Sequence, residues 1–134
     1  MIVLDASVAL KWFVDGEPQV VEARRVLDEI VADPEPYLIP ELFMNELLAV
    51  LSRLPGATAA NVQTALGLIE SLGLARIGNG HELLHTAAEI SHRFKISGYD
   101  AIYVALAQLS RGVWLTADAR AAKKVRPMAL VKLL

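Results

Sequence analysis

Short apolar runs alternate with longer segments of helical period along this chain, and that rhythm predicts strands interleaved with helices. Met1-Ile2-Val3-Leu4-Asp5 is a continuous apolar run closed by an acid, the form of a strand buried on both faces of a parallel sheet. Ser7 to Val14 predicts a helix and Asp15-Gly16-Glu17-Pro18 a turn. A second helix follows from Gln19 to Val31, with Val20, Ala23, Val26, Leu27 and Ile30 at helical spacing, until Pro34-Glu35-Pro36 stops it. Tyr37-Leu38-Ile39 predicts a strand, Glu41 to Arg53 an apolar helix ended by Pro55-Gly56, and Thr58 caps a helix to about Leu72. Beyond Gly73 come a strand over Leu74 to Ile77, a Gly78-Asn79-Gly80 loop and a helix from His81 to Phe94. Leu84, Ala87, Ala88 and Ile90 are placed on the core side of that helix. Ser97-Gly98 opens a helix to about Ser110, Val113 to Thr116 is a strand, a short basic helix follows, and Met128 to Val131 is a last strand. The expectation is a single α/β domain over residues 1–134: three layers, a central parallel sheet of four or five strands, helices on both faces. Ligands of such sheets bind outside the carboxyl ends of the strands.

Composition adds partners and compartment. A hydrophobic fraction of 54% and a mean hydropathy of +0.42 are high for a monomer of this size, so apolar surface is expected to meet another chain, as in a homodimer. The absence of cysteine removes disulfides, thiolate nucleophiles and thiolate metal sites, and fits a reducing, cytoplasmic setting. The apolar start does not read as a secretory signal, because Asp5 breaks it and Lys11 and Asp15 close it. No run approaches the roughly 20 apolar residues of a membrane span.

Charge is unevenly spread. Residues 1–67 carry 4 basic and 10 acidic side chains and residues 68–134 carry 9 and 5, so the carboxyl-terminal half is the one suited to a polyanion. Arg111, Arg120, Lys123 and Lys124 are its candidate phosphate contacts. A solvated helix face is the plainer reading of the same run.

Four acids stand where carboxylates are costly to bury or are placed to meet a ligand. Asp5 and Asp118 follow predicted strands, and Glu46 and Asp100 interrupt apolar helices. Asp5 and Asp118 could simply cap the helices after them, and Ser97-Gly98-Tyr99-Asp100 matches a capping box. Glu46 has the weakest structural explanation, since Leu42, Phe43, Ala49 and Val50 surround it at helical spacing. Brought together, the four would repel one another unless protons or a divalent cation intervened, and hard oxygen donors suit magnesium or manganese. Ser7 and Thr116, each two residues from a strand-end aspartate, are candidate supports for those carboxylates.

Val3-Leu4-Asp5-Ala6-Ser7, Glu46 within Pro40 to Leu47, Tyr99-Asp100-Ala101-Ile102-Tyr103-Val104-Ala105-Leu106-Ala107 and Leu115-Thr116-Ala117-Asp118 together resemble PIN-domain ribonucleases. The resemblance is nearest to the VapC-type toxins of prokaryotic toxin-antitoxin pairs and spans essentially the whole chain. It implies a PIN-like fold and a magnesium- or manganese-dependent endoribonuclease, with Asp5, Glu46, Asp100 and Asp118 as catalytic and metal-holding acids. It also implies an RNA substrate and a cognate antitoxin that holds the enzyme inactive. Two departures stand out: Ala49 replaces an asparagine common in relatives, and Ala119 follows Asp118 where they often carry a charge.

Other classes have some footing. A non-catalytic binding module of the same fold, or a solitary RNA-processing nuclease, would share most of these features. His81-Glu82-Leu83-Leu84-His85 matches the H-E-x-x-H zinc-protease motif. Gly80 puts His81 in the first helical turn, however, and the extended motif fails at Ala88 and Ser91.

Overall fold

In the computed structural model, which describes residues 1–134, five parallel strands form one sheet in the order β3-β2-β1-β4-β5. Its strands are β1 (Ile2–Leu4), β2 (Tyr37–Pro40), β3 (Ala75–Ile77), β4 (Val113–Thr116) and β5 (Val131–Leu133). The helices are α1 (Ala6–Leu10), α2 (Val20–Ala32), α3 (Glu41–Arg53), α4 (Ala59–Ser71), α5 (His81–Phe94), α6 (Gly98–Leu109) and α7 (Ala119–Val125).

The most apolar segments take the centre. Val3 and Leu4 of β1, all of β2, and Trp114 to Thr116 of β4 are buried, whereas the edge strands β3 and β5 are only three residues long and largely exposed. Short edges offer little backbone for unwanted pairing. Val3 is opposite Leu38 on one side and Trp114 on the other. Helix α6 is buried continuously from Ala101 to Ala107 and packs on α5, β1, β2 and β4.

This order creates a switch point. The chain leaves β1 to build β2 and β3 on one side, then returns to build β4 and β5 on the other. The crevice at the carboxyl ends of β1 and β4 is therefore where connecting segments diverge and a ligand has room.

Three expectations need correction. The first helix stops at Leu10, because Lys11, Trp12 and Phe13 donate to carbonyls three residues back and tighten the end. The Lys11 ammonium and Trp12 indole are then drawn to the carbonyls of Pro18 and Ala23, each at 2.8 Å. The last strand begins at Val131, since Pro127 lies in a 3-10 turn over Arg126–Met128 and Ala129 turns left-handed at φ 55°. On α5 the buried stripe is Leu83, Ala87 and Ile90, leaving Leu84 and Ala88 outside.

Gly112 joins α6 to β4 where no side chain fits: an added Cβ would lie 2.3 Å from the Met1 carbonyl oxygen. That oxygen accepts the Val113 amide at 3.0 Å, so it is fixed by the β1–β4 pairing. Gly112→Ala is expected to destabilise the chain by about 1–3 kcal/mol, read as a lower urea midpoint with unchanged slope.

Candidate active site

Asp5 follows β1 and is the N-cap of α1. Its Oδ2 accepts the Ser7 amide at 3.0 Å and its Oδ1 accepts the Trp114 indole N–H at 3.1 Å. Strand geometry explains the second bond. Val3 and Asp5 point to the same side of β1, and Trp114 is the β4 partner of Val3, so its ring lies on that side and reaches along to Asp5. The carboxylate is only 5% exposed. Burial pushes its pKa up, the Ser7 and Trp114 donors oppose that rise, and the charge of Asp100 adds to it.

Glu46 projects from α3 toward the same place. Burial, then the charge of Asp5, raises its carboxyl to about 7, with a smaller contribution from Asp100. Its Oε1 is buried without a hydrogen-bond partner, and so is the hydroxyl of Tyr103 on α6. The two groups are close enough for the phenol to favour the charged carboxylate, but they do not close a hydrogen bond. Burial and the charges of Asp5 and Glu46 together keep Tyr103 protonated far above its usual range. It is therefore a donor without an acceptor beside an acceptor without a donor.

Asp100 lies in the first turn of α6, where Ser97 Oγ accepts its amide at 3.0 Å. Burial raises its pKa, Ser97 opposes the rise, Asp118 adds to it and Lys124 counters. Asp118 is exposed and caps α7 through an Oδ1 bond from the Ala121 amide at 3.0 Å. The capping roles of Asp5 and Asp118 and the Ser97 cap are thus all present, and the same geometry gathers the acids. Each of the four is linked to another by direct electrostatic influence.

Ser7 and Thr116 tie the two strand ends together beneath these acids. Ser7 Oγ accepts the Ala117 amide at 3.0 Å, Thr116 Oγ1 accepts the Asp118 amide at 3.1 Å, and the two hydroxyls are 3.4 Å apart. Thr116 is fully buried.

The chemistry of the donor set fits a hard divalent cation: burial and neighbouring acids raise the proton affinity of Asp5, Glu46 and Asp100, and one Glu46 oxygen is buried and unpartnered. No three acidic or histidine side chains are gathered into a closed coordination shell, so binding would require side-chain adjustment.

The basic candidates divide. Arg120 and Lys123 are exposed on α7, beside the Asp118 cap. Lys124 donates to the Lys95 carbonyl at 3.2 Å and its charge reaches Asp100, so it is partly committed within the protein. Arg111 is a correction. It precedes β4, at the end of the sheet away from the acids, because a parallel strand carries its neighbours' carboxyl ends in one direction only.

His81 and His85 are exposed and stack on each other with ring centroids 3.8 Å apart. No third histidine or acid joins them in a metal-binding group. Tyr103 and Trp114 are not among the candidate site residues that the sequence offers. The available signal was a polar-tipped ring one turn after Asp100 in an otherwise apolar helix, and another immediately before the Leu115-Thr116 strand end.

Comparison with known proteins places this arrangement. Solved structures share the fold at low identity, among them the following three. A toxin-antitoxin complex from Klebsiella pneumoniae aligns with TM-score 0.73 and 19% identity over 98% of this chain and 96% of that one. VapBC2 from Rickettsia felis, bound to a DNA fragment from its promoter, aligns with TM-score 0.75 and 14% identity over 100% and 99%. VapC20 of Mycobacterium tuberculosis, a toxin cleaving the sarcin-ricin loop, aligns with TM-score 0.72 and 17% identity over 92% and 94%. No curated protein matches at the level of sequence. The family model for the PIN domain matches residues 2–126, which takes in all four acids and every strand except β5, and the chain belongs to the PIN-domain family.

Proposed function

We propose that this chain is a metal-dependent endoribonuclease and the toxin of a toxin-antitoxin pair. The observation that carries the reading is the run of electrostatic contacts that joins Glu46 to Asp5, Asp5 to Asp100 and Asp100 to Asp118, with Glu46 Oε1 buried and unpartnered. Asp5, Glu46, Asp100 and Asp118 would hold magnesium or manganese, which supplies charge neutralisation and Lewis-acid polarisation at a phosphoryl oxygen.

The chain's own groups have distinct tasks. Asp5 is fixed by Ser7 and Trp114 and so sets the geometry of the centre. Asp100, with proton affinity raised by burial and by Asp118, takes the proton of the water that attacks phosphorus in line. The bond from phosphorus to the leaving ribose oxygen breaks as the bond from water oxygen forms, and that ribose oxygen leaves with its electron pair and takes a proton from solvent. Arg120 and Lys123 hold the phosphate backbone on the open side, as exposed cations on the α7 surface.

Partner surface supports the toxin assignment. Leu48, Leu68, Leu84, Val21 and Val31 are large apolar side chains left exposed. A cleft of about 230 Å³ opens among Phe13, Leu51, Leu54, Val62 and Ala65. The cleft is apolar enough to take an antitoxin segment, and the similar structures include toxin-antitoxin complexes; a homodimer is part of the same proposal. An antitoxin arginine entering the acidic centre would neutralise it without metal. No helix is long and apolar enough to cross a membrane, and a cytoplasmic setting completes the proposal.

Purified protein is expected to cut transfer RNA or single-stranded RNA with magnesium or manganese and not with EDTA. Asp5→Asn and Asp100→Asn should each lower the rate by roughly 10²–10⁴ while circular dichroism stays unchanged. A wild-type protein that cuts no RNA with either metal, freed of any antitoxin, would falsify the assignment.

The acidic centre also predicts a pH dependence of stability in the metal-free chain. Glu46 has a carboxyl near 7 when folded against an ordinary 4.5. The folded state therefore binds more protons across that window, and stability falls as pH rises through it. Glu46→Gln should reduce this slope, with Asp5 and Asp100 supplying the remainder, and raise stability at pH 8 by about 1 kcal/mol once solvent screening of a half-buried group is allowed for, measured by thermal melts from pH 5 to 8 in EDTA. An unchanged slope would show that Glu46 titrates normally.

A further inference from the structure

A second cavity, of about 620 Å³, opens beside the acidic centre and shares Glu46 as a wall. Glu41, Asn45, Arg76, Asn79 and Tyr99 complete its polar lining. The elements that build it are separate: α3 supplies Glu41 and Asn45, β3 and its following loop supply Arg76 and Asn79, and Tyr99 stands in the first turn of α6. Glu41 fixes the loop by accepting the Asn79 amide at 3.3 Å.

Tyr99 is the odd residue. It is 66% exposed, although it neighbours Asp100 and is a large aromatic side chain with no core to fill. A ring standing free at the mouth of a cavity, next to an acid of the candidate centre, is a stacking platform. Arg76 offers one cation, and the asparagine amides offer paired donors and acceptors of the kind that read base edges.

The electrostatics choose what enters. Glu41 and Glu46 face the cavity with two asparagine amides, so its lining is rich in hydrogen-bond acceptors and suits a neutral group that donates hydrogen bonds. A nucleobase with an exocyclic amino group has that character, and carboxylates and amides are its natural acceptors. Phosphates belong on the opposite, basic side of the centre, along α7.

We infer that this cavity is a subsite for one unpaired, amino-bearing nucleobase flanking the scissile phosphate, stacked on Tyr99 and read by Asn45 and Asn79. The inference rests on the endoribonuclease reading and adds to it a preference for adenine, cytosine or guanine over uracil. Tyr99 is a specificity residue under this reading and takes no part in bond cleavage.

The test uses the full chain carrying Asp5→Asn, which binds without cutting, and fluorescently labelled hexanucleotides of adenylate, cytidylate or uridylate. The adenylate and cytidylate probes are expected to bind at least about five-fold tighter than uridylate. Tyr99→Ala should weaken adenylate binding roughly tenfold, whereas Tyr99→Phe and Tyr99→Trp stay within about threefold. The salt dependence of binding should be the same in all Tyr99 variants, because stacking releases no counterions. Asn45→Ala should narrow the preference over uridylate. If wild-type protein cleaves RNA but Tyr99→Ala binds every probe as before, the subsite is wrong and the nuclease reading stands. If Tyr99→Ala instead turns a sedimenting dimer into monomer, the cavity is a protein interface and the inference falls. Failure of the wild type to bind or cut any RNA removes both.

Discussion

The Asp5 carboxylate must remain buried at the junction of β1 and β4, and the site is organised around that constraint. A carboxylate so far from water is unfavourable unless donors replace the lost hydration. Here the donors come from two directions: the start of α1 through the Ser7 amide, and β4 through the Trp114 indole. Because one donor belongs to the next helix and the other to the neighbouring strand, the position of Asp5 depends on the sheet order itself. The Ser7–Thr116 contact and the Asp5 amide bond to the Leu115 carbonyl at 2.9 Å close the same seam from below.

Once Asp5 is fixed, the remaining acids can only be brought near at an electrostatic cost. Glu46 absorbs much of it, since its carboxyl is driven toward neutrality by burial and by Asp5. The nearby Tyr103 hydroxyl opposes the rise in the Glu46 pKa without closing a hydrogen bond to it. A site optimised for stability alone would bring them into contact or replace both with apolar groups. Leaving a donor and an acceptor apart in a buried setting keeps the Glu46 oxygen free for something that arrives from outside.

The fold was legible because it rests on local chemistry. Val3-Leu4, Tyr37 to Ile39 and Trp114-Leu115 are apolar runs too short for helices, and Pro34, Pro55, Gly73 and Gly112 punctuate the segments between them. Errors arose where tertiary contacts override such signals: Lys11 and Trp12 are pulled off a helix by carbonyls of Pro18 and Ala23, and Leu84 carries an apolar side chain on an exposed face. The acids were legible for a related reason. A carboxylate at a strand end or inside an apolar helix is a violation that one sequence displays directly. Trp114 and Tyr103 were not, because an aromatic in an apolar segment violates nothing, and only the β1–β4 register reveals that the indole meets Asp5. The cavity at Tyr99 depends on three segments far apart in the chain and leaves no local trace.

The fate of Arg111 shows what charge counting can and cannot do. It belongs to the most basic stretch of the chain, yet it sits before β4 while Arg120 and Lys123 come after it. In a parallel sheet all strands present their carboxyl ends at one edge, so a few residues of strand separate a cation near the reactive centre from one on the far side. Sequence proximity to Asp118 is therefore informative only when read with strand direction. The same rule sorts the surroundings of the centre into unlike halves: α7, following β4, brings cations, and α3, following β2, brings Glu41 and Glu46. An extended anion crossing the switch point would meet cations on the α7 side and carboxylates on the α3 side, which gives it a preferred direction as well as a place.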